Sequence, residues 1–381
     1  MIYLDNAATT YPKPEEVYKA MDHTARNMCV NAGRGSYKMA REASALIVET
    51  KKMLRDLIHV DQRCPVVFSP SITVAINQIG NGLNIDKGAN VFVSPYEHNA
   101  VARCLESLSK RNGFHIRQIP IDKDTLRIDI DQMRYEFSKN KPAAVFCTHV
   151  SNVTGYILPI KDIFSASKKY GAVNVLDSAQ SLGIIDVHAE SINVDIVAFA
   201  GHKTLYGPLG IGGFVNCTEI QLSPALFGGT GSDSLNLDMP NDPEGRYEAG
   251  SQNIIAISGL NAALKVLKPS DNRTVEKELT AFLIDEIGKI KKVRCITYGN
   301  LEDQTGIVSF TVDGYNSSDI GLILDEDYDI AVRTGYHCAP YIHEKMGVIK
   351  NMGTVRVGVG RFNTKEDINS LISAIKEIVD E

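Results

Sequence analysis

"VDIVAFAGHKTLYGPLG" (194–210) joins an apolar run to a glycine-bounded turn that carries one lysine, Lys203. A short apolar run ending in turn residues reads as a strand buried on both faces. Such strands sit in sheets covered by helices on each side, and ligands collect beyond their carboxyl ends. Lys203 stands at that end.

Other runs repeat the pattern. "PVVF" (65–68), "NVFV" (90–93), "AAVF" (143–146), "AVNVL" (172–176) and "DIVAF" (195–199) read as buried strands. Segments 42–58, 97–111 and 160–170 between them read as helices. Alternation of this kind predicts an α/β fold with a mostly parallel sheet. The last third changes character. "TAFLIDEIGKI" (280–290) is helical, and "GIVSFTV" (306–312) and "TVRVGVG" (354–360) alternate like half-exposed strands. "TKEDINSLISAIKEIVDE" (364–381) is an amphipathic helix with Ile368, Leu371, Ile372, Ile375 and Val379 on one face and Thr364 as its N-cap. The expectation is a large domain over 16–261 and a smaller α+β domain over 262–381, with residues 1–15 packing on the smaller one.

Bulk properties narrow the function. The 381 residues are 44% hydrophobic and 23% charged, enough for a sizeable core. A net charge of −6 argues against a nucleic-acid backbone or an anionic membrane as main partner. The start "MIYLDNAATTYPKP" lacks the basic and apolar regions of a secretory leader, and no run is long enough to cross a bilayer. Seven cysteines, odd in number, widely spaced and without a CxxC, suit a reduced cytoplasmic protein. Histidines and cysteines never fall at metal-ligand spacing, so no metal site is expected. No GxGxxG follows an early strand, which removes a dinucleotide-binding reading.

The residues after each strand deserve the closest reading. "SPSITVAIN" (69–77) opens a helix with hydroxyl residues, which serves equally as a cap or as an anion site. "SPYEHNA" brings His98 to the sheet's carboxyl edge, and "CTHVSNVTG" brings Asn152 there in a turn. Asp177 ends the run of "AVNVLDSAQSLG", either as a helix N-cap or as a buried carboxylate that needs a cation. Lys203 follows 26 residues later. An acid, a lysine, a histidine and a hydroxyl-rich helix start at neighbouring strand ends are the parts an aldehyde cofactor with a phosphate and a ring nitrogen requires. The glycines around Lys203 are expected to let that cofactor approach. In the smaller domain, "AVRTGYHCAP" (331–340) reads as a loop in which His337 and Arg333 flank Cys338 and favour its thiolate. Arg356, set between valines, reads as a carboxylate grip or as a structural ion pair.

These motifs resemble the class V aminotransferase family of fold-type I pyridoxal-phosphate enzymes, and within it the cysteine desulfurases. The likeness runs from "YLDNAATTYPKP" through "EHNA", "HVSNVTG", "DSAQSLG", "GHKTLYGPLGIGG" and "YEAGSQN" to "RTGYHCAP" and "VRVGVGRFNT". "RTGYHCAP" is similar to the group II branch, which holds SUF-type desulfurases and selenocysteine lyase-like enzymes. The resemblance implies a seven-stranded-type sheet and pyridoxal 5'-phosphate as cofactor. It implies Lys203 as the Schiff-base lysine, His98 stacked on the ring, Asp177 on the ring nitrogen, and Asn152 and Gln180 at the phenolic oxygen. Ser71, Ile72, Thr73 and His202 would bind the phosphate, with Ser251 reaching that of a partner subunit. Arg356, with Asn152 and Arg333, would hold the substrate carboxylate, and Cys338 would take the sulfur as a persulfide. L-cysteine or L-selenocysteine is the implied substrate. A homodimer with shared active sites and a sulfur-acceptor protein, as in iron–sulfur cluster assembly, are the implied partners. Other class V chemistry, transamination or epimerisation, is the alternative. The sequence departs from the family pattern at the phosphate loop, which reads Ser71-Ile72-Thr73-Val74, and at Ala200, Ser251 and Tyr37.

Overall fold

The computed structural model describes residues 1–32, 35, 37–231, 235–297 and 300–380. The chain opens with β1 (Ile2–Tyr3), α1 (Glu15–Asn27) and α2 (Lys38–Leu57). The large sheet and its helices follow as β2 (Val66–Ser69), α3 (Ile72–Gly82), β3 (Asn90–Val93), α4 (Asn99–Asn112), β4 (His115–Gln118), α5 (Ile130–Lys139), β5 (Pro142–Thr148), α6 (Ile160–Lys168), β6 (Val173–Asp177), β7 (Ile196–Ala200) and β8 (Gly212–Asn216). After α7 (Ile254–Lys265) come α8 (Pro269–Ile287), β9 (Val293–Ile296), β10 (Ile307–Val312), α9 (Ser317–Tyr328), β11 (Ile330–Ala331), β12 (Arg333–Gly335), α10 (Ile342–Lys345), β13 (Thr354–Gly358) and α11 (Lys365–Asp380).

The seven-stranded sheet has the order β2-β8-β7-β6-β5-β3-β4. Only β8 runs antiparallel to its neighbours. All five expected strands are central members of it or lie one strand from the edge, except β2. Two strands were not legible. β4 is a polar edge, and β8 is opened by two glycines that weaken its apolar signal. Apolar side chains fill both faces of the sheet, one cluster including Phe92, Val145 and Phe199, the other Val67, Phe146 and Phe214. A separate cluster of Phe310, Val357, Leu371 and Ile375 forms the smaller core under the sheet β12-β13-β10-β9.

Residues 261 and 262, either side of the expected domain boundary, both lie inside α7. The helix expected from 280 begins eleven residues earlier, at Pro269, where proline takes the first turn. In the N-terminal segment β1 pairs parallel with β11, and Leu4 is buried in the smaller core. Residues 9–13 then cross to the Lys203 turn of the large domain.

The glycines near Lys203 serve the backbone. A Cβ on Gly201 would lie 2.8 Å from the Ile211 carbonyl, and one on Gly207 would lie 2.8 Å from the Gly201 carbonyl. A Cβ on Gly212 would come within 2.8 Å of the Ile72 nitrogen. These contacts make a tightly folded turn pressed on the start of α3.

Edge strand β2 offers outward N–H groups that would invite another strand. Two carboxylates occupy them. Glu244 Oε1 accepts from Val66 N at 2.9 Å, and Glu248 Oε1 accepts from Phe68 N at 2.6 Å. Lys51, buried beneath, pairs with Glu244 at 2.8 Å and Glu248 at 2.9 Å, and Arg55 also binds Glu244. Removing one member of a buried charge group leaves the others uncompensated. Glu248→Ala is therefore expected to destabilise the fold by about 3 kcal/mol, read as a lowered urea midpoint.

Candidate active site

Lys203 enters the cleft because β7, buried along its length, ends at Ala200 and turns there. Desolvation lowers its ammonium to about 8, and the nearby Arg356 and Arg333 push the same way, while Asp177 and Cys338 oppose them. These groups of three different segments therefore face one lysine. Its Nζ makes no hydrogen bond or ion pair among the described residues, so the amine is available for chemistry.

Asp177 ends the adjacent strand β6 and is buried. Its Oδ1 accepts from Ala179 N at 2.9 Å, which is the capping contact. Burial raises its carboxyl above the ordinary range, against the pull of the Ala179 N–H and Lys203. A cation placed at its other oxygen would relieve that cost. His98 is the N-cap of α4 and accepts from Ala100 N through Nδ1 at 3.0 Å. Desolvation, then the positive Lys203, Arg333 and Arg356, hold its imidazole down at about 4, so the ring is neutral with its proton on Nε2. A neutral ring can stack on an aromatic cofactor without adding charge.

The phosphate residues divide. His202 is held neutral, at about 4, by burial and by Lys203 and Lys13, and its buried Nδ1 has no hydrogen-bond partner. That orphaned nitrogen fits an anionic ligand. Thr73 is exposed in the first turn of α3, with its hydroxyl clear for the same ligand. Ser71 spends its hydroxyl as the α3 N-cap, accepting from Val74 N at 3.3 Å. The Ile72 side chain is buried in the core, so it offers only its backbone N–H. Ser251 is exposed and accepts from Asn31 at 3.3 Å, away from the Lys203 cluster within this chain.

Asn152 and Gln180 hold the surrounding chain. Asn152 Nδ2 donates to the His337 carbonyl at 2.7 Å, and Gln180 Nε2 donates to the Ala7 carbonyl at 2.7 Å. Each amide keeps a second N–H for a ligand oxygen. Arg356 has less to spare. It is 1% exposed, donates to Asp5 Oδ1 at 2.6 Å and to the Asn152 carbonyl at 2.9 Å, and retains one unpartnered buried N–H at Nε. The structural ion pair is thus present, alongside Arg333 directly opposite on β12.

The cysteine segment is partly strand, since Arg333–Gly335 form β12, and the loop proper is the turn that follows. Arg333 reaches Cys338 Sγ at 3.4 Å. His337 adds no charge there. Its ring is buried, pushed down to about 2, and bound to Thr354 Oγ1 at 2.8 Å. His337 and Cys338 both adopt left-handed backbone, with φ of 45° and 56°. Asn99 N of α4 donates to the Cys338 carbonyl at 2.7 Å, so the helix capped by His98 holds the cysteine turn.

Three features escaped the sequence reading. Asp5, Thr9, Thr10 and Lys13 of the opening segment contact Arg356 or the Lys203 turn. Glu97 is fully buried beside Asp177, hydrogen-bonded to Ser94 and to Thr148 N, and burial raises its carboxyl to about 8. "EHNA" and "YLDNAATTYPKP" were the available signals. Far from the cleft, exposed His59 and His188 stack at 3.7 Å and each contacts one oxygen of Asp186 at 2.9 Å, a cluster hidden by its sequence separation.

Similarity to known proteins agrees with this geometry. The family profile described as aminotransferase class-V matches residues 2–371. A probable cysteine desulfurase of Methanothermobacter thermautotrophicus is 31% identical over 99% of this chain and 94% of its own length. The apo cysteine desulfurase structure from Thermococcus onnurineus superposes with a TM-score of 0.93 at 29% identity, covering 100% of this chain and 94% of that one. A cysteine desulfurase of Escherichia coli in an S-sulfonic acid form gives 0.85 at 25% identity, again over 100% and 94%.

Only a neutral amine condenses with an aldehyde. In the cofactor-free protein the rate of aldehyde trapping at Lys203 should therefore rise as pH passes about 8. Asp177→Asn removes the carboxylate that holds the proton on and should move the inflection down. Arg333→Met removes a repelling cation and should move it up. Inflections that do not move in opposite directions would refute the electrostatic coupling.

Proposed function

The chain belongs to the aminotransferase class-V family, and from that membership we infer a pyridoxal-phosphate-dependent cysteine desulfurase that converts L-cysteine to L-alanine. Enzymes of these families use pyridoxal 5'-phosphate in general. The observation that carries the reading is the convergence of Lys203, Asp177, Arg333, Arg356 and Cys338 on one cleft at the sheet's carboxyl edge.

The residues fit the cofactor. Lys203 would link it, Asp177 would face its ring nitrogen and His98 its ring. Thr73, His202 and the backbone N–H groups of the α3 start would hold its phosphate, with the second N–H groups of Asn152 and Gln180 left for its phenolic oxygen. When bound, the cofactor supplies an electron sink that weakens the substrate's bonds at Cα.

The chain's own groups perform the rest. Arg356 and Arg333 supply positive charge for the substrate carboxylate, through guanidinium N–H groups suited to planar anions. Lys203, with its proton affinity lowered, takes the α-proton and returns it. Cys338 attacks the substrate sulfur as a thiolate. The S–S bond forms as the Cβ–S bond breaks, the electron pair stays with carbon, and a proton completes the methyl group of alanine. Sulfur then rests on Cys338 as a persulfide for an acceptor protein. Cys338 is half-exposed beside a surface groove bounded by Arg103, Tyr336, Tyr341 and Ile349, which suits such a transfer.

The working unit in this reading is a homodimer with shared sites. Phe227, Leu235 and Leu237 are 77%, 99% and 101% exposed in this chain, a cost that a second copy would remove. Ser251, turned to the surface, would then reach the partner's phosphate. The absence from the described residues of any helix long and apolar enough to cross a membrane agrees with a site open to water-borne substrate.

The deciding assay is alanine release from L-cysteine with a thiol reductant. The native protein should form alanine, and Cys338→Ala should lose at least about a hundredfold in kcat. Activity confined to L-selenocysteine, or a Cys338→Ala variant as active on cysteine as the native protein, would overturn the desulfurase reading.

A further inference from the structure

Lys13 is a half-buried lysine with no carboxylate partner among the described residues. Its surroundings are all neutral oxygens. Nζ donates to the His202 carbonyl at 2.7 Å and to Thr10 Oγ1 at 2.7 Å, with Thr9 Oγ1 at 3.5 Å. Burial alone draws its ammonium down to about 7, so it sits there at an energetic cost. An exposed lysine pays no such cost, and the position therefore needs an explanation.

The contacts supply one. The His202 carbonyl also receives Thr10 N at 3.2 Å and Thr9 Oγ1 at 3.1 Å. Thr10 Oγ1 lies 3.3 Å from that carbonyl and 3.2 Å from the Lys203 carbonyl, but it has one proton to give. Lys13 donates into Thr10 Oγ1 and already fills a position on the His202 carbonyl. The Thr10 proton is thereby directed to Lys203. The carbonyls of residues 202 and 203 belong to the two rigid peptide planes on either side of the Lys203 Cα. Fixing both oxygens fixes φ and ψ at Lys203 and so the direction in which its side chain leaves. Tyr206 N adds a bond to the Lys203 carbonyl at 2.7 Å.

We propose that Lys13 is a positioning residue for Lys203, acting with Thr9 and Thr10 as a clamp on both peptide planes that flank the reactive lysine. The clamp comes from a segment 189 residues away whose first residues are fastened to the smaller domain. The proposal rests on the reading of Lys203 as the cofactor-linking residue.

The test compares native protein, Lys13→Met, Lys13→Arg and Thr10→Val by two readouts. One is the rate at which cofactor-free protein develops the visible band of a lysine-linked chromophore on mixing with pyridoxal 5'-phosphate. The other is the split of kcat from KM for L-cysteine. Lys13→Met should slow band formation and lower kcat by about ten- to a hundredfold, the scale of a displaced reacting group. KM should stay near the native value, since Arg333 and Arg356 are untouched. Lys13→Arg should restore most of both rates, because it keeps the charge and the donors. Thr10→Val should show a smaller loss in the same direction, and it carries the test if Lys13→Met does not fold. Native rates of band formation in a folded Lys13→Met would overturn the proposal, as would a loss confined to the thermal midpoint. The band rate is measured without turnover, so failure of the desulfurase reading in the alanine assay leaves this test standing.

Discussion

The buried guanidinium of Arg356 is the constraint around which the cleft is assembled. A charge with 1% exposure is tolerated only with partners, and its two partners come from elsewhere in the chain. Asp5 belongs to the opening segment and the Asn152 carbonyl to the turn after β5. Arg356 itself is on β13 of the smaller domain, opposite Arg333. One side chain therefore joins the N-terminal strap, the large sheet and the strand that leads to Cys338. The smaller core under β13 and the β1–β11 pairing hold this arrangement from behind.

The same surroundings set the state of the lysine. Burial first, and then the two guanidinium groups, favour the neutral amine, while Asp177 and Cys338 favour the ammonium. The balance sets the Lys203 proton affinity near the working range of a general base. Asp177, Arg333 and Arg356 are all carried by strands, which hold a geometry better than loops do. The neutral histidines 98 and 337 belong to the same balance, since a further cation in either place would raise the cost of the arginines.

Much of this was written in the sequence, and what was not has physical causes. Strands β2, β3, β5, β6 and β7 carry largely apolar runs because both faces are buried, so they were legible, and so were Asp177 at the end of β6 and Lys203 just beyond β7. β4 and β8 lack that signal, one polar and the other glycine-opened. The sequence marks no break at residue 261, where the mostly apolar α7 continues. Candidate residues are easiest to read where a side chain follows a strand. The local roles of Ser71, whose hydroxyl caps α3, and Ile72, whose side chain enters the core, depend on packing that a single sequence does not show. Asp5 and Lys13 were passed over because their partners lie far along the chain, and single-sequence periodicity carries no long-range pairing.

The cysteine turn then follows from the same economy. His337 and Cys338 hold left-handed backbone that non-glycine residues adopt at a cost of order 1–3 kcal/mol each, and they do so consecutively. The structure offsets this with Asn152 Nδ2 on the His337 carbonyl and Asn99 N on the Cys338 carbonyl. Asn152 stands in the turn after β5, and Asn99 follows His98 in the first turn of α4. Two hydrogen bonds therefore tie the cysteine turn to the large domain on both of its left-handed residues.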